Sequence, residues 1–227
     1  VSTSAGRVCH LMELRVIPLC KLKKKHVKLD AIDFRTTPIF VTRLSLGWGE
    51  FSHGYLQTLL YRLPYLQTLI LQISDDAHLY GFGRKSLNLE YATQLRQLKI
   101  KPLNYKRLRL GVMPNLQILR IYQCPTWPSY EWMPMLRHMT QLHTLVLKSM
   151  RMSQGSHLPL LGSYLPPQIT KLAIDYEPQA PGPHAIDRFL RQLTRLTQLT
   201  ELDLPNDIIE HWSFIRRLPK HNLTSIC

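Results

Sequence analysis

Apolar and polar positions along this chain fall into short bursts that share one skeleton. The stretch from Met113 to Cys124, MPNLQILRIYQC, shows it as Leu116-x-x-Leu119-x-Ile121-x-x-Cys124. Leu119 and Ile121, two residues apart, fall on one face of an extended segment; Ile118, Arg120 and Tyr122 point the other way. The spacing predicts a short strand with one buried face. The same skeleton returns as Val41/Leu44/Leu46, Leu66/Leu69/Leu71, Leu95/Leu98/Ile100, Leu142/Leu145/Leu147, Ile169/Leu172/Ile174 and Leu199/Leu202/Leu204, with Leu223-x-x-Ile226 as a truncated last copy. Counted on the middle apolar residue, the series runs 44, 69, 98, 119, 145, 172, 202, 226, in steps of 25, 29, 21, 26, 27, 30 and 24.

One strand with its return segment cannot bury its own apolar face, but stacked neighbours close a continuous core. Each return brings the chain back to the same edge, so the predicted strands are parallel. Gly54 to Leu63 reads as a return helix, with Leu56, Leu59, Leu60 and Leu63 at helical spacing, Ser52 as N-cap and Pro64 as stop. Residues 72–94 read as a long link. Ala185 to Leu196 reads as an amphipathic helix burying Ile186, Phe189, Leu190, Leu193 and Leu196, with Arg188, Arg191 and Arg195 outside. Asp207-x-x-Glu210 reads as a capping box for a last helix that Pro219 ends.

Residues 1–40 are the least regular. Leu11-x-x-Leu14-x-Val16 has the skeleton but no well-spaced partner, and Leu29-x-x-Ile32-x-Phe34 lies too close to the Leu44 strand for a full copy. We read 1–40 as an N-terminal cap or irregular first repeat and 41–227 as the repeats proper. The run Lys21-Leu-Lys-Lys-Lys25 is read as a solvated loop in preference to a nuclear address.

Charge changes the picture. Lys and Arg number 29 against 15 Asp and Glu, a formal net charge of +14. Such a balance favours an acidic partner: nucleic acid, an anionic surface or an acidic protein. The cysteines Cys9, Cys20, Cys124 and Cys227 have no zinc-type spacing and are read as reduced thiols, which points to cytosol or nucleus. No apolar run of about 18 residues predicts a spanning helix.

No catalytic constellation is legible. His138 and His143 do not share a helical metal spacing, Asp75-Asp76 lacks further carboxylates nearby, and Gly81-Phe-Gly83-Arg-Lys85-Ser86 breaks the phosphate-loop pattern at Arg84. An enzyme, a metal site and a cofactor are therefore not expected.

The recurring L-x-x-L-x-L-x-x-N/C skeleton resembles that of the leucine-rich repeat superfamily, from about residue 41 to the end. The resemblance implies an α/β solenoid (horseshoe) with a parallel concave sheet and convex helices. Within it, IFVTRLSLGWGEFSHGYLQTLLYRLPYLQTLIL (Ile39 to Leu71) resembles the repeats of fungal F-box-type proteins, which hold the substrate of a cullin ubiquitin ligase. The wording of residues 114–124 is also similar to that of plant intracellular immune receptors. The expected function is a non-enzymatic protein-interaction module, an F-box substrate receptor or a receptor's repeat domain. The alternative is a basic subunit that binds nucleic acid or a ribonucleoprotein.

On such a fold the side chains flanking the strand leucines face the concavity. Lys99, Lys101, Arg120, Tyr122, Lys148 and Lys171 are the candidate partner-binding residues there, followed by Asp175, Glu201 and Asp203. This basic-to-acidic gradient suits an acidic or extended protein segment. The loop Cys124-Pro-Thr-Trp-Pro-Ser-Tyr-Glu-Trp132 offers Trp127, Tyr130 and Trp132, either as partner anchors or as a cover tucked over the core.

Overall fold

In a computed structural model of the protein, the residues described are 12–16, 41–48, 53–73, 86–101, 107–122, 130–150, 157–176, 182–209 and 224–226. In chain order the elements are β1 (Met12–Val16), β2 (Val41–Trp48), α1 (His53–Arg62), β3 (Thr68–Ile73), β4 (Ser86–Asn88), β5 (Gln97–Ile100), β6 (Arg107–Arg109) and β7 (Ile118–Tyr122). A 3-10 segment (Tyr130–His138), β8 (Thr144–Met150), α2 (His157–Tyr164), β9 (Lys171–Tyr176), α3 (Pro183–Leu193), β10 (Glu201–Asp203), α4 (Asn206–Ile209) and β11 (Ser225–Ile226) follow. The protein is α/β. Its main sheet runs β1-β2-β3-β5-β7-β8-β9-β10-β11, parallel throughout, and β4 pairs with β6 in a second, two-stranded sheet.

Register is set by the repeated leucine. Leu44 pairs with Leu69, Leu69 with Leu98, Leu98 with Leu119, Leu119 with Leu145, Leu145 with Leu172, Leu172 with Leu202, and Leu202 with Ile226. A slip of one residue would turn every one of these side chains out of the core, so the apolar period fixes the pairing. Leu44, Leu69, Leu98, Leu119, Leu145 and Leu172 have no exposed surface. The reading of Leu11-x-x-Leu14-x-Val16 as partnerless is corrected: β1 pairs in parallel with β2, Leu14 against Leu44. Residues 29–34 and the basic run at 21–25 lie outside the described residues.

A tight turn leads into the strands. Leu66 N–H donates to Leu63 O, Leu95 to Ala92, Leu116 to Met113, Leu142 to Met139 and Leu199 to Leu196, at 3.0–3.2 Å. The i-to-i+3 closure turns both apolar ends of the turn inward, and Pro64 and Pro114 sit at its second position, where a fixed φ suits it. Successive copies are then joined by the backbone: Gln117 O accepts from His143 and Thr144, His143 O from Thr170 and Lys171, and Thr170 O from Thr200 and Glu201. Threonine hydroxyls add a second bond to this seam, Thr170 to His143 O, Thr200 to Thr170 O and Thr224 to Thr200 O, at 3.0–3.1 Å.

The outer layer changes along the chain. α1 and α3 occupy the segments their periodicity predicts, α3 starting at Pro183, a residue suited to a first helical turn. The link at 72–94 is corrected in part: residues 72–73 belong to β3 and residues 86–88 form β4, which pairs with β6 in a second, two-stranded layer. Leu87, Leu89, Leu108 and Leu110 of this pair are buried. Gly111 lets the two returns meet, since a Cβ there would lie 2.5 Å from Glu90 O and 2.7 Å from its Cα. Backbone cannot yield as a side chain can, so Gly111→Ala is expected to destabilise by about 1–3 kcal/mol, read as a lower urea midpoint.

α2 and α3 pack closely at Gly162, where a Cβ would meet Phe189 and Gln192. α2 has no basic residue in its own last turn. Its neighbours supply the charge: Arg137 donates to Ser163 O at 3.3 Å and Arg195 to Gly162 O at 2.8 Å, both at the negative end of the helix dipole. Arg137 also lies 4.4 Å from the Tyr164 ring centre. Arg195, read from the sequence as outside, is exposed, and from just past α3 it reaches the end of α2.

His157 opens α2 and is 2 % exposed. Burial holds its imidazole below the ordinary value of 6.5, favouring the neutral ring in the folded chain. The unfolded chain therefore binds more protons between the folded value and 6.5, and stability falls as pH drops through that window. The urea midpoint is expected to be lower at about pH 5.5 than at about pH 7.5, with a flatter dependence in His157→Leu.

Candidate functional site

The face of the main sheet opposite the buried leucines carries the remaining strand side chains in rows set by the register. One row reads Arg43, Thr68, Gln97, Ile118, Thr144, Lys171, Glu201; the next reads Ser45, Ile70, Lys99, Arg120, Val146, Ala173, Asp203. Tyr122 then pairs with Lys148 at the strand ends, and Lys101 N–H donates to Leu71 O, which places it beside them just after β5.

The candidate residues separate into two groups. Lys148 Nζ lies 2.9 Å from Asp203 Oδ2, and Lys171 Nζ bonds Glu201 Oε2. Lys171 and Glu201 are directly opposite on adjacent strands. Lys148 reaches from β8 across β9 to β10, whose Asp203 is paired to the small Ala173 of β9. The hydrogen bond to Asp203 raises the Lys148 pKa against the opposing effect of burial. All four side chains are 40–47 % exposed, so the pairs add little to stability. Their effect is to neutralise. Two of the three acids of the expected gradient, Glu201 and Asp203, are thus each bonded to a lysine of its basic part, Lys171 and Lys148, while Asp175 is exposed.

Lys99, Lys101 and Arg120 form the other group. Lys99 and Arg120 pair directly across β5 and β7. Partial burial first, then repulsion from Lys101 and Arg120, lowers the Lys99 pKa, the behaviour of a cation facing like charges. Its Nζ lies 5.5 Å from the Tyr122 ring centre, within cation–π range. Arg120 Nε is buried, and among the described residues it has no hydrogen-bond partner. The face thus holds a cationic spot on β5 and β7, bounded by Ile70 on β3 and by Val146 and Ala173 on β8 and β9.

Trp132 is corrected as a partner anchor. It is 4 % exposed and belongs to the core with Met133, Leu136 and Met139. Trp127 and the side chain of Tyr130 lie outside the described residues. Tyr61, Tyr65 and Tyr91, which the sequence reading passed over, are 84 %, 56 % and 64 % exposed in the outer layer. Tyrosine on a surface accommodates both apolar and polar contact, which is why bulk and exposure together mark it.

Among the described residues there is no group of three His, Cys, Asp or Glu side chains that could hold a metal ion, and no helix is long and apolar enough to cross a membrane. Comparison of the chain with protein-family models, with curated proteins and with solved structures returned no match.

Proposed function

We propose that the chain is a leucine-rich repeat solenoid acting as a non-enzymatic protein-interaction module, and that its concave face takes an acidic, extended segment of a partner protein. The observation that carries this reading is the division of the face. Lys148 and Lys171 are neutralised from within, whereas Lys99, Lys101 and Arg120 stand together with no described carboxylate bonded to them. Uncompensated like charges cost folding energy, and a partner that supplies the opposite sign removes that cost and gains registry with the rows.

The narrower reading, a substrate receptor of a cullin ubiquitin ligase working in the cytoplasm or nucleus, rests on the sequence resemblance of residues 39–71. Affinity capture with the full chain, scored for cullin-ligase subunits, tests it; their absence removes the ligase role. Capture with Lys99→Glu/Arg120→Glu tests the face itself. Loss of an acidic partner that wild type retains supports the module. An unchanged profile moves the site to the outer layer, where Tyr61, Tyr65 and Tyr91 become the first candidates.

A further inference from the structure

We propose that Arg120 is the seat of a single oxyanion, with Lys99 and Lys101 as its flanking cations, and that the ligand is a carboxylate or phosphate side chain of an extended protein segment. The proposal rests on the reading of this face as a docking surface and adds the group that grips the partner. Buried N–H donors in folded proteins nearly always find an acceptor. Arg120 Nε is buried, and no described residue accepts from it. Nε and the neighbouring Nη form one edge of a rigid planar fork, spaced for two oxygens of one carboxylate or phosphate, and a turn of the half-buried side chain brings that edge, closed in the free chain, to the ligand.

The surroundings restrict the ligand to one charge. Lys99 is level with Arg120 on the adjacent strand, and Lys101 and Arg120 both press on it electrostatically. On either side along the same row the positions are apolar, Ile70 before Lys99, and Val146 and Ala173 after Arg120. The next cation toward the C-terminus, Lys148, is held by Asp203. A nucleic-acid strand needs a track of cations to follow its backbone. Val146 and Ala173 are buried and only Ile70 is part-exposed, so the isolated cationic seat instead fits a single acidic or phosphorylated side chain.

The test is a titration of the full-length, 15N-labelled chain with sodium phosphate and, separately, sodium acetate at constant ionic strength, followed on the arginine Nε–Hε resonances. The Arg120 signal, assigned by its loss in Arg120→Lys, is expected to shift and saturate while other arginines respond no more than to chloride. The anion that saturates first names the side chain: acetate a carboxylate, phosphate a phosphorylated residue. Lys99→Gln is expected to weaken binding about tenfold, and Asp203→Asn is expected not to weaken it. An Arg120 signal that stays still, or that follows chloride equally, overturns the seat. So does a single-stranded oligonucleotide that competes with phosphate and binds with a log–log salt slope of about −4 or steeper. If Arg120 is silent yet Lys99→Glu still abolishes partner capture, the seat fails and the docking reading stands.

Discussion

Leu119→Ala is expected to lower the unfolding free energy by about 3–5 kcal/mol, the upper part of the range for a core leucine. Leu119 has no exposed surface and stands in β7, in the middle of the main sheet. Leu98 and Leu145 hold the same level on the strands to either side. Those neighbours are fixed by backbone pairing and cannot slide in to fill the space, so the cavity persists and its full cost is felt. The total stability of a domain is about 5–15 kcal/mol, so the single change removes a large share of it. Position matters too. Copies in a stack touch only their neighbours, so a defect at the centre separates two halves, while one near an end frays that end alone. Urea denaturation followed by circular dichroism checks this; a loss below about 1 kcal/mol would contradict the central packing.

The second large effect is on binding. Lys99→Glu/Arg120→Glu is expected to weaken the captured partner by about 100-fold or more, because reversal replaces attraction with repulsion on a partly desolvated face. Lys148→Ala and Lys171→Ala are expected to change affinity by no more than about threefold, since each lysine is already bonded to an acidic neighbour. Asp203→Asn frees Lys148 and is expected to strengthen an acidic partner. Fluorescence polarisation with the partner segment reads all four. Equal losses at Lys99 and Lys148 would mean that net charge, and not the particular seat, governs binding.

The register of the main sheet was legible because one spacing recurs and each copy must hide the same two or three leucines. The neutralised lysines were legible in principle. Lys171 and Glu201 both stand one residue before the middle leucine of adjacent copies, so the repeat frame alone makes them neighbours. Lys148 and Asp203 were not, because that contact skips a strand. The β4–β6 pair had a signal that went unused: Leu87 and Leu89 alternate as Leu108 and Leu110 do, 21 residues on, the same step that separates Leu98 from Leu119. Short alternations of this kind look like links until a partner is found for them. Trp132 was ambiguous because the prolines near it suggested an open loop. The spacing Trp132, Met133, Leu136, Met139 instead marks a buried face of a helical segment.

The β4–β6 ladder also sets how the stack bends. Two paired strands stand about 4.8 Å apart, whether they belong to the inner sheet or the outer one. Two packed helices need about 8–10 Å. Where α2 lies against α3, the outside is therefore expected to be wider than the inside and the sheet to curl. Where β4 lies against β6, outside and inside are expected to advance equally, and the strands there to run on nearly straight. Lys99 and Arg120 stand on that span, so a bulky visitor is expected to settle on it without being pinched, and its grip need not wait for the frame to flex.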